Sequence, residues 1–181
     1  MIYVFLAKGF EEVEALAPVD CLRRAGKQVK TVGIGGKVIE GAHGISVTAD
    51  ITEDALVLDH TLEMVVLPGG MPGTLNLGQS DTVKKALQFA KEQDKWITAI
   101  CAAPSVLGRE GLLKDKKAVV YPGMEKELHC AKVGHETLCV DGKVITAKGP
   151  GVALDFALKL VEVLLGKEVR KSLAEKMVCK K

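Results

Sequence analysis

Aromatic side chains make up only 4% of the 181 residues, and no dense run of Lys and Arg crosses the chain. Phosphate tracking needs clustered basic groups and single strands need stacking rings, so nucleic acid is not an expected partner. The charges nearly cancel, 25 basic against 23 acidic. The Lys- and Arg-bearing stretch from Lys167 to Lys181 reads as a solvated terminal helix. No apolar run has the length of a membrane span, and Met1 leads straight into Ile2-Tyr3-Val4-Phe5-Leu6-Ala7 with no basic leader, so a cytoplasmic protein is expected. The five cysteines are odd in number and lack framework spacing, which suits free thiols in a reducing compartment. Cys130, His135 and Cys139, with His129 adjacent, contain no C-x-x-C or H-x-x-x-H pair, so no metal is expected there. Nucleotide cofactors are equally unexpected. The glycines at 33, 35 and 36 do not open a helix after the first strand, and no Walker lysine follows Gly69.

What the chain does have is alternation of buried-strand runs with helical patterns, the mark of a mostly parallel sheet with helices on both faces. Its length fits a single domain, 1–181. The first strand spans Ile2 to Ala7. The helix opened by Glu11 and Glu12 runs to about Ala25 and stops at Gly26, with Pro18 expected to kink or divide it. Val29 to Ile34 is a strand, and Lys37–Glu40 with Ile45–Ala49 form a hairpin placed at the sheet edge. Met64 to Leu67 ends on the glycine-rich loop Pro68-Gly69-Gly70-Met71-Pro72-Gly73. A helix covers about Asp81 to Glu92. Strands follow at Ala118–Tyr121, Glu136–Val140 and Lys143–Ala147, the last two joined at Asp141-Gly142. A long amphipathic helix runs from Val152 to Leu165.

The richest stretch is Trp96-Ile97-Thr98-Ala99-Ile100-Cys101-Ala102-Ala103-Pro104-Ser105. A β-branched buried run ends on a thiol where a helix should start, at the carboxyl end of the sheet, the place where nucleophiles are mounted. The nearby helix N-terminus is expected to favour the Cys101 thiolate. Oxyanion donors are available in the N–H groups of Ala102 and Gly70. Of the three glutamates after the first strand, Glu14 has apolar neighbours, Val13, Ala15, Leu16 and Ala17. A carboxyl in such surroundings tends to stay protonated and can donate to a thiolate. Glu11 and Glu12 read as complements to the helix dipole.

Four segments, Ala7-Lys8-Gly9-Phe10-Glu11-Glu12-Val13-Glu14, Leu67-Pro68-Gly69-Gly70, Ala99-Ile100-Cys101-Ala102-Ala103-Pro104 and Lys148-Gly149-Pro150-Gly151, resemble the ThiJ/PfpI superfamily, in the branch of the Parkinsonism-associated protein deglycase and its bacterial relatives. The match follows chain order almost end to end. The resemblance implies a flavodoxin-like three-layer α/β/α sandwich, usually homodimeric, with an oxidation-sensitive cysteine at Cys101. It puts the protonated partner at Glu14, the oxyanion donors at Gly70 and Ala102, and a basic residue reaching across subunits at Arg24. Two positions depart from that pattern. Tyr121-Pro122 stands where the branch has His-Pro, and a tyrosine hydroxyl donates a hydrogen bond but is a poor base near neutrality. His43 replaces the branch's anion-binding arginine. Ala102, rather than histidine, follows the cysteine, which argues against a peptidase.

The expected function is a cysteine-dependent enzyme, glyoxalase- or deglycase-like, acting on small reactive carbonyls or their early protein adducts without a cofactor. The alternative is an oxidative-stress redox sensor or chaperone-like dimer in which Cys101 is oxidised.

Overall fold

The computed structural model describes residues 1–130 and 132–179. In chain order its regular elements are β1 (Ile2–Leu6), α1 (Glu12–Arg24), β2 (Val29–Gly33), β3 (Val38–Glu40), β4 (Ser46–Thr48), β5 (Ile51–Thr52), β6 (Met64–Leu67), α2 (Gly73–Gln79), α3 (Asp81–Glu92), β7 (Trp96–Ile100), α4 (Pro104–Arg109), β8 (Lys117–Ala118), β9 (Lys132–Val133), β10 (Leu138–Asp141), β11 (Val144–Ala147), α5 (Ala153–Leu165) and α6 (Lys167–Lys176). Seven strands form the central sheet in the order β10-β11-β7-β6-β1-β2-β5, and every pairing is parallel except β10 with β11.

Period-two alternation in β1 explains the three layers. Ile2, Val4 and Leu6 face a core shared with Ala15, Leu22, Phe156 and Leu160 of α1 and α5. Tyr3, Phe5 and Ala7 face the opposite core, with Leu77, Val83, Leu87 and Leu107 of α2, α3 and α4. The strand is buried on both faces and therefore reads as a continuous apolar run. Phe156 has no exposed surface, and its truncation to Ala would cost about 3–5 kcal/mol.

Successive strands leave β1 in one direction through β2 and in the other through β6 and β7, so the strand order reverses between β1 and β6. The crevice outside the carboxyl ends of such strands is where open α/β sheets bind ligands. No described helix is long and apolar enough to cross a membrane.

Several sequence expectations need correction. Pro18 does not divide α1, which is one helix from Glu12 to Arg24; proline deletes one N–H donor, but burial of the surrounding face against α5 holds the helix together. The β3–β4 hairpin forms, yet as a sheet of its own. The edge beyond β2 is taken by β5, too short to be read from periodicity, while the edge hairpin of the main sheet is β10–β11. The strand expected at Ala118–Tyr121 shrinks to β8, paired with β9 outside the central sheet.

Candidate active site

Three strand ends supply the site. β1 leads through Gly9 and Phe10 into α1, β6 ends on Pro68-Gly69-Gly70, and β7 ends on Cys101. Cys101 has φ 63°, in the left-handed region that a side chain with a Cβ occupies at a cost of about 1–2 kcal/mol. Its backbone is fixed on both sides. The Cys101 N–H donates to Ala147 O at 2.9 Å, and Cys101 O accepts from Tyr121 N at 2.8 Å. This conformation turns the chain out of the strand before α4 begins at Pro104, and it leaves the side chain half-buried at the crevice.

Glu14 comes from the first turn of α1 and has no exposed surface. Its Oε2 accepts the Gly69 N–H at 2.9 Å, whereas Oε1 is buried without a partner of ordinary hydrogen-bond geometry. Burial pushes this carboxyl up to about 7, and the charge of Glu11 adds to the rise against the hydrogen bonds from Gly69 and the Cys101 thiol. Gly69 lies between the two reactive groups. A Cβ there would stand 2.6 Å from the Cys101 Cβ and 2.7 Å from Glu14 Oε2, so only glycine lets thiol and carboxyl share the space.

Burial, followed by the Glu14 charge, raises the Cys101 thiol to about 12, while the N–H groups of Ala102 and Gly70 pull it down. The direction is opposite to the one expected from a helix N-terminus. α4 has six residues and starts three positions after the thiol, so two individual N–H groups, rather than a long helix dipole, act on the sulfur. Thiol and carboxyl titrate as one coupled pair: a charge on either disfavours a charge on the other.

Cys101, Glu14, Gly70 and Ala102 therefore meet in one place. Arg24 does not join them within the chain. It is exposed, bonds Asp20 Oδ2 at 2.7 Å, and lies roughly 15 Å along α1 from Glu14 at 1.5 Å per residue. Tyr121 reaches the rim, bonded through its backbone to Cys101 and with its ring beside Gly149, and is 48% exposed. His43 sits on the β3–β4 turn. Its Nδ1 is 2.9 Å from Glu12 Oε2 and 3.6 Å from Glu11 Oε2. The hydrogen bond with Glu12, then the Glu11 charge, raises its pKa.

Two participants escape sequence reasoning. Gly69 donates to Glu14 and makes room for the pair; the Pro-Gly-Gly signal was there, but it pointed to Gly70. Glu12 is a buried anchor rather than a mere dipole complement, because its Oε1 accepts the N–H of His43 at 2.8 Å.

The DJ-1/PfpI family model matches residues 1–163. The chain belongs to the DJ-1/PfpI family. Protein dj-1beta of Drosophila melanogaster is 39% identical over 168 residues, covering 91% of this chain and 89% of that protein. The glutathione-independent glyoxalase DJR-1.2 of Caenorhabditis elegans is 32% identical over 164 residues, with 90% and 87% covered. Among solved structures, oxidized DJ-1 of Toxoplasma gondii superposes with a TM-score of 0.94 at 37% identity, covering 99% of this chain and 98% of that one. The flavodoxin-like sandwich expected from the sequence is thus the fold of a DJ-1/PfpI protein, and a DJ-1-type function follows from membership.

Proposed function

We propose that this DJ-1/PfpI protein is a cysteine-dependent enzyme acting on small reactive carbonyls, of the glyoxalase or deglycase type, with Cys101 as nucleophile and Glu14 as its proton partner. The observation that carries this reading is the shared crevice: Cys101 and Glu14 flank Gly69, and two N–H groups act on the sulfur. The pair carries a single negative charge above about pH 7. We place that charge on sulfur, because a thiolate receives two N–H donors, whereas an ionised Glu14 receives one backbone N–H, from Gly69, and otherwise only the thiol itself. A protonated Oε1 has instead a proton to give.

The thiolate attacks the aldehyde carbon of a 2-oxoaldehyde, and the C=O electron pair moves onto oxygen. The N–H groups of Gly70 and Ala102 stabilise that oxyanion until it takes the Glu14 proton. Glu14, now a carboxylate, removes the hydrogen from the same carbon and returns it to the neighbouring one, while the hydroxyl proton of the first carbon passes to the oxygen of the second, leaving a 2-hydroxy thioester. Water cleaves the thioester, giving a 2-hydroxy carboxylate and the Cys101 thiolate; of the two protons released, one returns to Glu14 and one goes to solvent. The sum is one water added per carbonyl compound, with no net oxidation. His43 and Tyr121 support the rim of the pocket. The test is lactate production from methylglyoxal, with Cys101→Ser as control; turnover retained in that variant ends the proposal.

Arg24 completes the site from a second copy in this scheme. Val13 and Leu16 of α1 are exposed, at 46% and 37%, and covering these apolar side chains favours a homodimer through this helix. A monomeric mass by light scattering at micromolar protein would remove the cross-subunit role while leaving the dyad intact.

The replacement of an imidazole by Tyr121 favours a second reading, a redox sensor or chaperone-like protector. Peroxide would convert the Cys101 thiolate to sulfenate and then sulfinate, held by the same two N–H groups and by Glu14. Efficient turnover supports the enzyme; stoichiometric oxidation without turnover supports the sensor.

A further inference from the structure

We propose that Glu11, Glu12 and His43 form a binding site for a divalent transition-metal cation, zinc above all, on the rim beside the cysteine crevice. Each of the three residues offers one ligand atom, and these atoms all lie within 4.8 Å of one another. The Nδ1 separations of 2.9 and 3.6 Å straddle the roughly 3.4 Å between donors in a tetrahedral site with bonds of about 2.1 Å. An ion therefore enters with small side-chain adjustments.

Three further features go beyond a group of acidic residues. First, the Glu12 carboxylate is 7% exposed and locked in place. Its Oε1 accepts the backbone N–H of His43 at 2.8 Å, and a Cβ at Gly41 would come within 2.3 Å of that oxygen. One oxygen held by the backbone while the other faces the cation is how outer contacts orient a carboxylate ligand. Second, among the described residues no Lys or Arg forms an ion pair with Glu11 or Glu12; His43 is their cationic partner. The 2.9 Å contact of Nδ1 with Glu12 Oε2 holds a proton whose place a metal ion can take. Third, the His43 side chain is 65% exposed, so an ion has an open approach and space to keep water ligands. An imidazole nitrogen with two carboxylate oxygens suits zinc, cobalt or manganese better than calcium or magnesium.

Glu11 couples this rim to the crevice through its N–H, which donates to Gly69 O at 2.9 Å. The metal site nevertheless stands independently of the carbonyl chemistry, since neither Cys101 nor Glu14 is a ligand. Calorimetric titration of the chelator-stripped full chain with zinc tests it, with cobalt absorption as a probe of donor type. The expected result is one zinc per chain at micromolar metal, weakened about tenfold or more in both His43→Ala and Glu11→Gln. Affinity should be unchanged in Cys101→Ser, and the cobalt spectrum should lack a thiolate charge-transfer band. Loss of binding in Cys101→Ser, wild-type affinity in His43→Ala, or no binding to the wild-type chain would each overturn the proposal. Turnover enters none of these readouts, so failure here leaves the carbonyl reading untouched.

Discussion

Cys101 and Cys21 lie in differently prepared parts of the same molecule. Cys21 is fully buried inside α1, its Sγ 3.8 Å from Met177 Sδ, and burial with the Asp20 charge raises its thiol to about 11. Cys101 is also raised by burial and by an acidic neighbour, so neither fact separates them. The difference lies in what touches the sulfur. Cys101 has two N–H groups and a buried carboxyl able to take its proton, held around an open glycine, whereas Cys21 has a thioether and packed hydrocarbon. A thiol becomes chemically useful through the donors that receive its charge, not through a low starting pKa.

The largest break of that comparison comes from exchanging the thiols. Cys101→Ala should lower methylglyoxal turnover by roughly 1,000-fold or more, as loss of a nucleophile does, while Cys21→Ala leaves it unchanged in the same lactate assay. Equal losses from the two variants would erase the distinction. A narrower cut is Gly69→Ala, whose Cβ must displace Cys101 or Glu14. Misplacement of reacting groups by about an ångström costs roughly 100-fold, so turnover should fall by that order while circular dichroism stays that of the folded chain.

Stability against pH gives a smaller effect with a definite sign. Unfolded Glu14 loses its proton near the ordinary 4.5, whereas the folded Cys101–Glu14 pair keeps both of its protons to about 7. Between those values the unfolded chain binds fewer protons, so this group's contribution is fully present below 4.5 and falls as pH rises to about 7. The total change is at most about 3 kcal/mol. Urea unfolding of wild type and Glu14→Gln should show the two free energies diverging across that window, the wild type losing; parallel curves would show that Glu14 carries no raised pKa. The smallest expected difference is one of order: mild peroxide followed by peptide mass mapping should find Cys101 oxidised before Cys21.

The strand-to-turn thiol, the Pro-Gly-Gly loop and the isolated glutamate were all legible, because β-branched runs, glycine pairs and a carboxyl among apolar neighbours are local signals. Met64–Leu67 and Asp81–Glu92 fall where the pattern puts them. The two-residue β5 offered no period to detect, and the helix continues through Pro18 because tertiary burial outweighs one lost donor. His43 could not be tied to Glu12 from sequence, since the contact crosses 31 residues through a hairpin that forms its own sheet. The direction of the thiol shift was also hidden: it depends on burial and on the Glu14 charge, and both are set by the folded crevice.

The most direct test follows ultraviolet thiolate absorbance against pH, using Cys101→Ser as the subtraction blank. With the shared charge on sulfur, a thiolate step belonging to Cys101 appears well below pH 12, and Glu14→Leu moves it upward by removing the proton donor. A Cys101 that shows no thiolate until about pH 12, with or without Glu14, would contradict the paired-charge mechanism.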